Sequence, residues 1–303
     1  MQHVGLELIG VPLAAGGAGD GAALGPAGLR LAGIAPALSA LGHDVRDAGD
    51  VAPRASMIED GAGRNGAEVA AWIGGVIDAG LNATSAGRMP VYMGGDHSLS
   101  AGSVNVSALT AEAAGRPLIV LWLDAHTDFN TPDTSPSGNI HGMPVAALTG
   151  EDGLGFLYRG SPRAQLRPDQ FCLLGIRSVD REEARRLRAY GIEVMDMRRV
   201  DEHGMARLVS QVIARAEAEN AMIHVSLDMD FIDPGLAPGV STPVPGGANL
   251  REAHLAMEML CDSGRVAALD IVELNLFEDE RARTARLAVD LAASLFGRRI
   301  VAH

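Results

Sequence analysis

Lysine does not occur in this chain; all 25 basic residues are arginine. That absence excludes a phosphate-loop lysine, a Schiff-base lysine and a lysine general base. Cysteine is nearly absent too. Cys172 and Cys261 lie far apart in the apolar segments QFCLLGI and AMEMLCDSG, so no disulfide framework exists and both read as buried free thiols. That usage fits a reducing compartment and points to the cytoplasm. Positive charge is scarce, with a formal net charge of −13. Nucleic acid needs a basic footprint and is excluded as a partner. An anionic membrane surface is disfavoured, whereas a small cationic substrate is compatible. No stretch approaches the roughly 18 apolar residues of a membrane span. The opening MQHVGLELIGVPL has no basic start and reads as a first strand, not a signal segment.

Hydrophobic residues make up 47% of the 303 and aromatics only 4%, a composition that suits a soluble globular core. Short apolar runs alternate with longer amphipathic stretches. The runs predict strands over 4–10, 43–49, 89–94, 117–124, 171–176, 192–197, 222–228 and 266–274. Helical spacing covers 25–42, 68–83, 202–219, 250–264 and 279–297. Nearly all-apolar strands separated by helices imply a parallel sheet covered on both faces. With no linker, repeat or low-complexity tract, residues 1–303 are expected to form one α/β domain on about eight parallel strands. The irregular pieces are 16–26, rich in glycine, and 127–141.

In open α/β sheets ligands bind beyond the carboxyl ends of the strands. Three predicted strands end in ionisable residues: VYMGGDHS in Asp96 and His97, LIVLWLDAHTD in Asp124, His126 and Asp128, and HVSLDMDFIDP in Asp228, Asp230 and Asp233. In an extended segment i, i+2 and i+4 share a face, so Asp124, His126 and Asp128 can converge, as can Asp228 with Asp230. A lone DxHxD is usually a solvated turn. Three such groups at the ends of core strands describe a buried cluster of carboxylates and imidazoles that repels itself unless cations sit within it. Oxygen and nitrogen donors without thiolate favour manganese first, then zinc, cobalt or iron. Six ligands are too many for one tetrahedral ion and suit two ions, which lower the pKa of a shared water towards 7. Metal-assisted hydrolysis follows.

GGDHS (94–98), DAHTDFNTP (124–132), SGNIHGMPV (137–145), SLDMDFIDP (226–234) and the tail 272–297 resemble, in this order, the motifs of the ureohydrolases and most closely the arginases. The resemblance covers most of the chain. It implies a single domain with an eight-stranded parallel sheet, two Mn2+ per subunit, and hydrolysis of L-arginine to L-ornithine and urea by a metal-bridging hydroxide. On that resemblance His97, Asp124, His126, Asp128, Asp228 and Asp230 hold the metals, with Asp124 and Asp228 as bridges and Asp128 orienting the hydroxide. His141 resembles the family's proton shuttle, and Glu273 its partner for the guanidinium. Asn130, Ser137 and Asn139 correspond to donors for the α-carboxylate, with Thr134 or Ser135 as alternates. Asp180 and Glu183 correspond to acids that reach the α-ammonium. The plainer readings are a surface histidine at 141, a structural strand-end acid at 273 and a capped helix start at 180–183. Arginases assemble as trimers or hexamers, so a homo-oligomer is implied.

Two departures stand out. The early glycine-rich loop lacks the family's arginine, and Phe231 stands where the family often has glycine. Neither removes a ligand. Asp270 reads as a supporting residue, and His224 and His254 as structural. The main rival within the class is a ureohydrolase of another guanidino compound, such as an agmatinase, for which donors to an α-carboxylate would be left unpaired. A binuclear phosphoesterase needs another motif order and spacing. A catalytically silent metal binder would have lost ligands.

Overall fold

The structure is a computed structural model that describes residues 4–55 and 62–299. Its eight strands are β1 (Gly5–Val11), β2 (Asp44–Asp50), β3 (Met89–Gly94), β4 (Leu118–Leu123), β5 (Phe171–Ile176), β6 (Glu193–Asp196), β7 (Met222–Asp228) and β8 (Val266–Val272). They form one sheet in the order β2-β1-β3-β8-β7-β4-β5-β6. Every neighbouring pair is parallel. The expected fold class is what the molecule has.

Among the described residues ten α-helices accompany the strands: α1 (Gly25–Leu31), α2 (Ile34–Ser39), α3 (Gly66–Ser85), α4 (Ser100–Ala113) and α5 (Pro144–Thr149), then α6 (Arg181–Tyr190), α7 (Met197–His203), α8 (Met205–Ala218), α9 (Leu250–Ser263) and α10 (Arg283–Leu295). Alternation along a strand splits the core in two. In β4, Ile119, Leu121 and Leu123 join the core beneath α1, α2, α8, α9 and α10. Leu118, Val120 and Trp122 join the core beneath α3, α4 and α5. All six are buried, each large side chain contributing about 1.5–3 kcal/mol of hydrophobic stabilisation.

Helical spacing over 25–42 and 202–219 resolves into pairs of shorter helices, broken at Gly33 (φ 90°) and Gly204 (φ 78°). Helices α4 and α5 were not expected, whereas α6 begins at the capped start that the plainer reading of 180–183 gave. In α4 the side chains that face the sheet include Ser100, Ser103 and Ser107, all buried, so the helix lacks the apolar stripe that betrays one in sequence. Cys172 is buried, as expected, but Cys261 is only half-buried at the end of α9. Among the described residues no helix is long and apolar enough to cross a membrane.

The sheet order matters for function because β3, β8, β7, β4 and β5 lie side by side. Their carboxyl ends deliver His97, Glu273, Asp228, Asp124 and Asp180 to one rim. Phe231 fits there against Gly175 (φ 98°), where a Cβ would overlap its ring. The bulk absent from one position is present at the other.

Candidate metal centre and active site

His97 follows β3 and is 1% exposed. Its Nδ1 lies 3.0 Å from Asp124, 3.1 Å from Asp128 and 3.1 Å from Asp228. None of the three is aligned as a hydrogen bond, so Nδ1 and Asp128 Oδ2 are both buried without a partner. Three oxygens around one ring nitrogen, none in line with it, have the arrangement of a group that could hold a metal ion. The opposite ring nitrogen, Nε2, is 2.9 Å from Ser226 Oγ, and the ring stacks on Trp122 at 4.1 Å between centroids.

The second group is built from Asp124, His126 and Asp230. His126 Nδ1 is 3.1 Å from Asp230 and 3.4 Å from Asp124, and the side chain is 29% exposed. Backbone N–H groups aim the carboxylates. His126 N–H donates to Asp124 at 2.6 Å, Ala125 N–H to Asp230 at 3.0 Å, and Asp230 N–H to Asp228 at 2.7 Å. Trp122 Nε1 donates to the other oxygen of Asp124 at 2.9 Å. Asp124 therefore belongs to both groups, and all six expected ligands are brought together.

Electrostatics test whether a cation fits. Burial, then the charge of Asp124, push Asp128 up to about 7. Burial with Asp230 and Asp124 puts Asp228 well above the carboxylate range, and burial with Asp124 raises Asp230. Burial alone would lower the two imidazoles. The carboxylates override it, holding His97 well above its ordinary value and pushing His126 up to about 12. The carboxylates thus favour positive charge at both imidazoles. Divalent cations supply it with better geometry, and the orphaned Nδ1 and Oδ2 are the atoms they would take. The donor set fits two such ions.

Above this floor opens a cavity of about 260 Å3 whose lining includes His126, Asp128, Asn130, Ser137, Asn139, His141, Asp180 and Glu183. His141 is close to Glu273, with Nδ1 2.8 Å from Oε1. Burial lowers it, but the Glu273 charge prevails and pushes it up to about 9. Glu273 is buried, and the cavity lining does not include it. Its Oε1 also accepts from His97 N–H at 2.9 Å, while Oε2 has no partner. Asp128 (φ 49°) and Glu273 (φ 60°) are both held in left-handed backbone, a strain of order 1–3 kcal/mol that is typical of functional positions.

The rim is more preoccupied than the sequence suggests. Asn130 donates to Asp180 at 3.0 Å and accepts from Thr134 at 2.9 Å. Ser137 accepts from Asn139 N–H at 3.2 Å. Glu183 accepts from Phe129 N–H at 2.8 Å and from Asp180 N–H at 3.2 Å, so the helix-capping role is real. Asn139 Oδ1 is buried and unpaired. Sequence reasoning missed Ser178 and Thr242, which also line the cavity; Thr242 donates to Asp230 at 3.2 Å. Neither stands in a motif. It also missed Gly16, whose N–H donates to Asp96 at 2.9 Å and whose carbonyl accepts from His141 N–H at 3.0 Å. The loop lacking the family's arginine thus still touches the site.

Comparison with known proteins places this geometry. The model of the Arginase family matches residues 5–297. An arginase of Brucella melitensis is 47% identical over 298 residues, 97% of each chain. The solved arginase of Bacillus caldovelox is 39% identical with a TM-score of 0.91, over 98% of this chain and 100% of that one. The arginase of Entamoeba histolytica, solved with L-ornithine, is 29% identical with a TM-score of 0.87, again over 98% and 100%.

Proposed function

The chain belongs to the arginase family, and from that premise we propose that it hydrolyses the guanidinium group of L-arginine to L-ornithine and urea. The observation that carries the reading is the pair of histidine–carboxylate groups sharing Asp124 at the floor of a cavity edged by both amide or hydroxyl donors and acids. The L-ornithine held by the Entamoeba relative is the amino-acid product of that reaction. In this reading His97, Asp124, Asp128 and Asp228 would hold one Mn2+, and Asp124, His126, Asp228 and Asp230 the other. Ions held there would supply Lewis acidity and lower the pKa of a water near them.

The chain's own residues do the rest. Asp128 accepts a hydrogen bond from the attacking water and turns its lone pair to the guanidinium carbon. Glu273 holds the His141 ring through Oε1; its unpaired Oε2 is buried and off the cavity lining, so the planar pairing with the guanidinium that suits a carboxylate requires the substrate to open a path to it. His141, raised by the Glu273 contact, keeps a proton at neutral pH and passes it to the departing amine. Asn130, Ser137 and Asn139 receive the α-carboxylate, and Asp180 and Glu183 the α-ammonium. Asn130 must first turn from Asp180, which a bound ammonium would draw to itself.

Urea release after Mn2+ loading, measured side by side on L-arginine and agmatine, tests this. Arginine is expected to turn over faster. Faster agmatine turnover overturns the substrate, and no urea from either overturns the reaction. We place the enzyme in the cytoplasm as a homo-oligomer of three or six chains. Its free cysteines support the compartment, and sedimentation measures the assembly.

A further inference from the structure

Behind the metal floor, on the α4 side of the sheet, lies a second polar cluster that the reaction does not touch. His224 and Asp270 are completely buried on adjacent strands, where Asp270 is the register partner of Ser226 and His224 lies two residues before that serine on β7. His224 Nε2 is 3.0 Å from Asp270 Oδ2, and Nδ1 is 2.8 Å from Ser107 Oγ. The same Oδ2 accepts from Ser100 and Ser103 at 2.7 Å each, and from Ser226 at 3.4 Å. Burying an ion pair is costly and by itself no aid to stability, so a carboxylate with this many donors in the core calls for a reason.

Ser226 supplies one, because its oxygen is also 2.9 Å from His97 Nε2. We infer that Asp270, acting through Ser226, sets the tautomer and ring angle of His97 and so is a positioning residue for one metal ion. The reasoning follows the hydrogens. Asp270 accepts only, so the hydroxyls near it direct their hydrogens towards it. Ser226 reaches it either directly or through Ser100, whose Oγ is 3.3 Å away. By both paths the Ser226 hydrogen is committed, and a lone pair faces His97 Nε2. That nitrogen must then be the N–H donor. Nδ1 is left with its own lone pair, in the middle of Asp124, Asp128 and Asp228, where a cation needs it.

Ligating histidines generally donate their other nitrogen to a carboxylate or carbonyl, and losing that partner costs 10–100-fold in metal affinity. Here a serine stands between ring and carboxylate. His224 keeps the carboxylate charged: burial would raise Asp270, but the neighbouring imidazole and the serines hold it below the usual range. Ser100, Ser103 and Ser107 recur at i, i+3 and i+7 on α4, one helical face turned to the core. That stripe is the supporting shell. The Asp124-His126-Asp230 group has no share in it, since none of the cluster's hydrogen bonds reaches His126 or Asp230.

The inference rests on reading His97 as a metal ligand, and its test separates the two. Metal-free wild type, Ser226→Ala, Ser226→Thr and Asp270→Asn are titrated with Mn2+ by calorimetry, counting free ion by electron paramagnetic resonance, with near-ultraviolet circular dichroism of each metal-free protein. Wild type is expected to bind two ions. In Ser226→Ala and Asp270→Asn one affinity falls about 10–100-fold and the other holds. Ser226→Thr, which keeps the hydroxyl, restores the lost affinity. Folded variants with both affinities unchanged overturn the inference. So does an equal loss at both sites, or no rescue by threonine. If Asp270→Asn does not fold, the alanine and threonine pair at 226 still decides. Wild type that takes up no Mn2+ brings down the metal reading itself, whatever the variants do.

Discussion

The two halves of the metal floor share Asp124 yet are built differently. The His97 half is sealed: the ring is 1% exposed, stacked on Trp122 and bonded from behind by Ser226. The His126 half is more open, its ring 29% exposed, although residues of both halves line the cavity. A ligand locked by neighbours loses little freedom when it binds, whereas an exposed one must be ordered by the metal. The sealed half should therefore bind more tightly, and the open half should be the side where substrate and ion exchange.

The strongest way to break this comparison is to remove what the halves share. Asp124→Asn is expected to empty both, lowering kcat at least about 10³-fold, since it takes away metal chemistry and its electrostatics together; elemental analysis of the purified variant should find less than one Mn2+ per chain. Next comes a change that leaves both halves intact. His141→Asn is expected to lower kcat by roughly 10²–10³-fold, the worth of a positioned acid, with two Mn2+ still bound; a variant of unchanged kcat would remove His141 from the proton path.

Metal removal addresses the asymmetry itself. Stepwise chelation should strip the His126 side first, giving a one-metal form, so His97→Ala is expected to cost more total Mn2+ affinity than His126→Ala. Calorimetric titration of the two variants reads the difference, and the opposite order would refute the sealed-versus-open account. Trp122→Phe keeps the stack but deletes the Nε1 bond to Asp124, and is expected to cost about 1–3 kcal/mol of stability by denaturant unfolding, as for a hydrogen bond to a charged group. The smallest effect belongs to Thr242→Val. It removes one long hydrogen bond to Asp230, and should weaken only the His126-side ion, by about tenfold or less at roughly 1 kcal/mol.

Much of this was legible in advance for identifiable reasons. Strands β4 and β7 were plain because buried parallel strands are apolar throughout, and the candidate ligands were plain because acids and imidazoles stand out where such strands stop. Helix α4 was hidden because its buried face carries Ser100, Ser103 and Ser107, polar where a helix is expected to be apolar. The same holds for Thr242 and Ser178, small residues outside any motif whose place depends on loops folding back over the rim. Glu273 was identified, but its engagement with both His97 N–H and His141 was not.

By itself, the sequence of this protein determined which groups are present and on which side of each strand they emerge, because a pleated strand alternates and its period is local. It determined the fold class for the same reason. What only the tertiary structure decided is depth and company. Sheet order puts β3, β8, β7, β4 and β5 beside one another, burying one histidine against a tryptophan and a serine while leaving the other at the mouth of a cavity. Those differences arise from contacts between residues far apart in the chain, such as His97 with Trp122 and with Ser226, and no local periodicity encodes them.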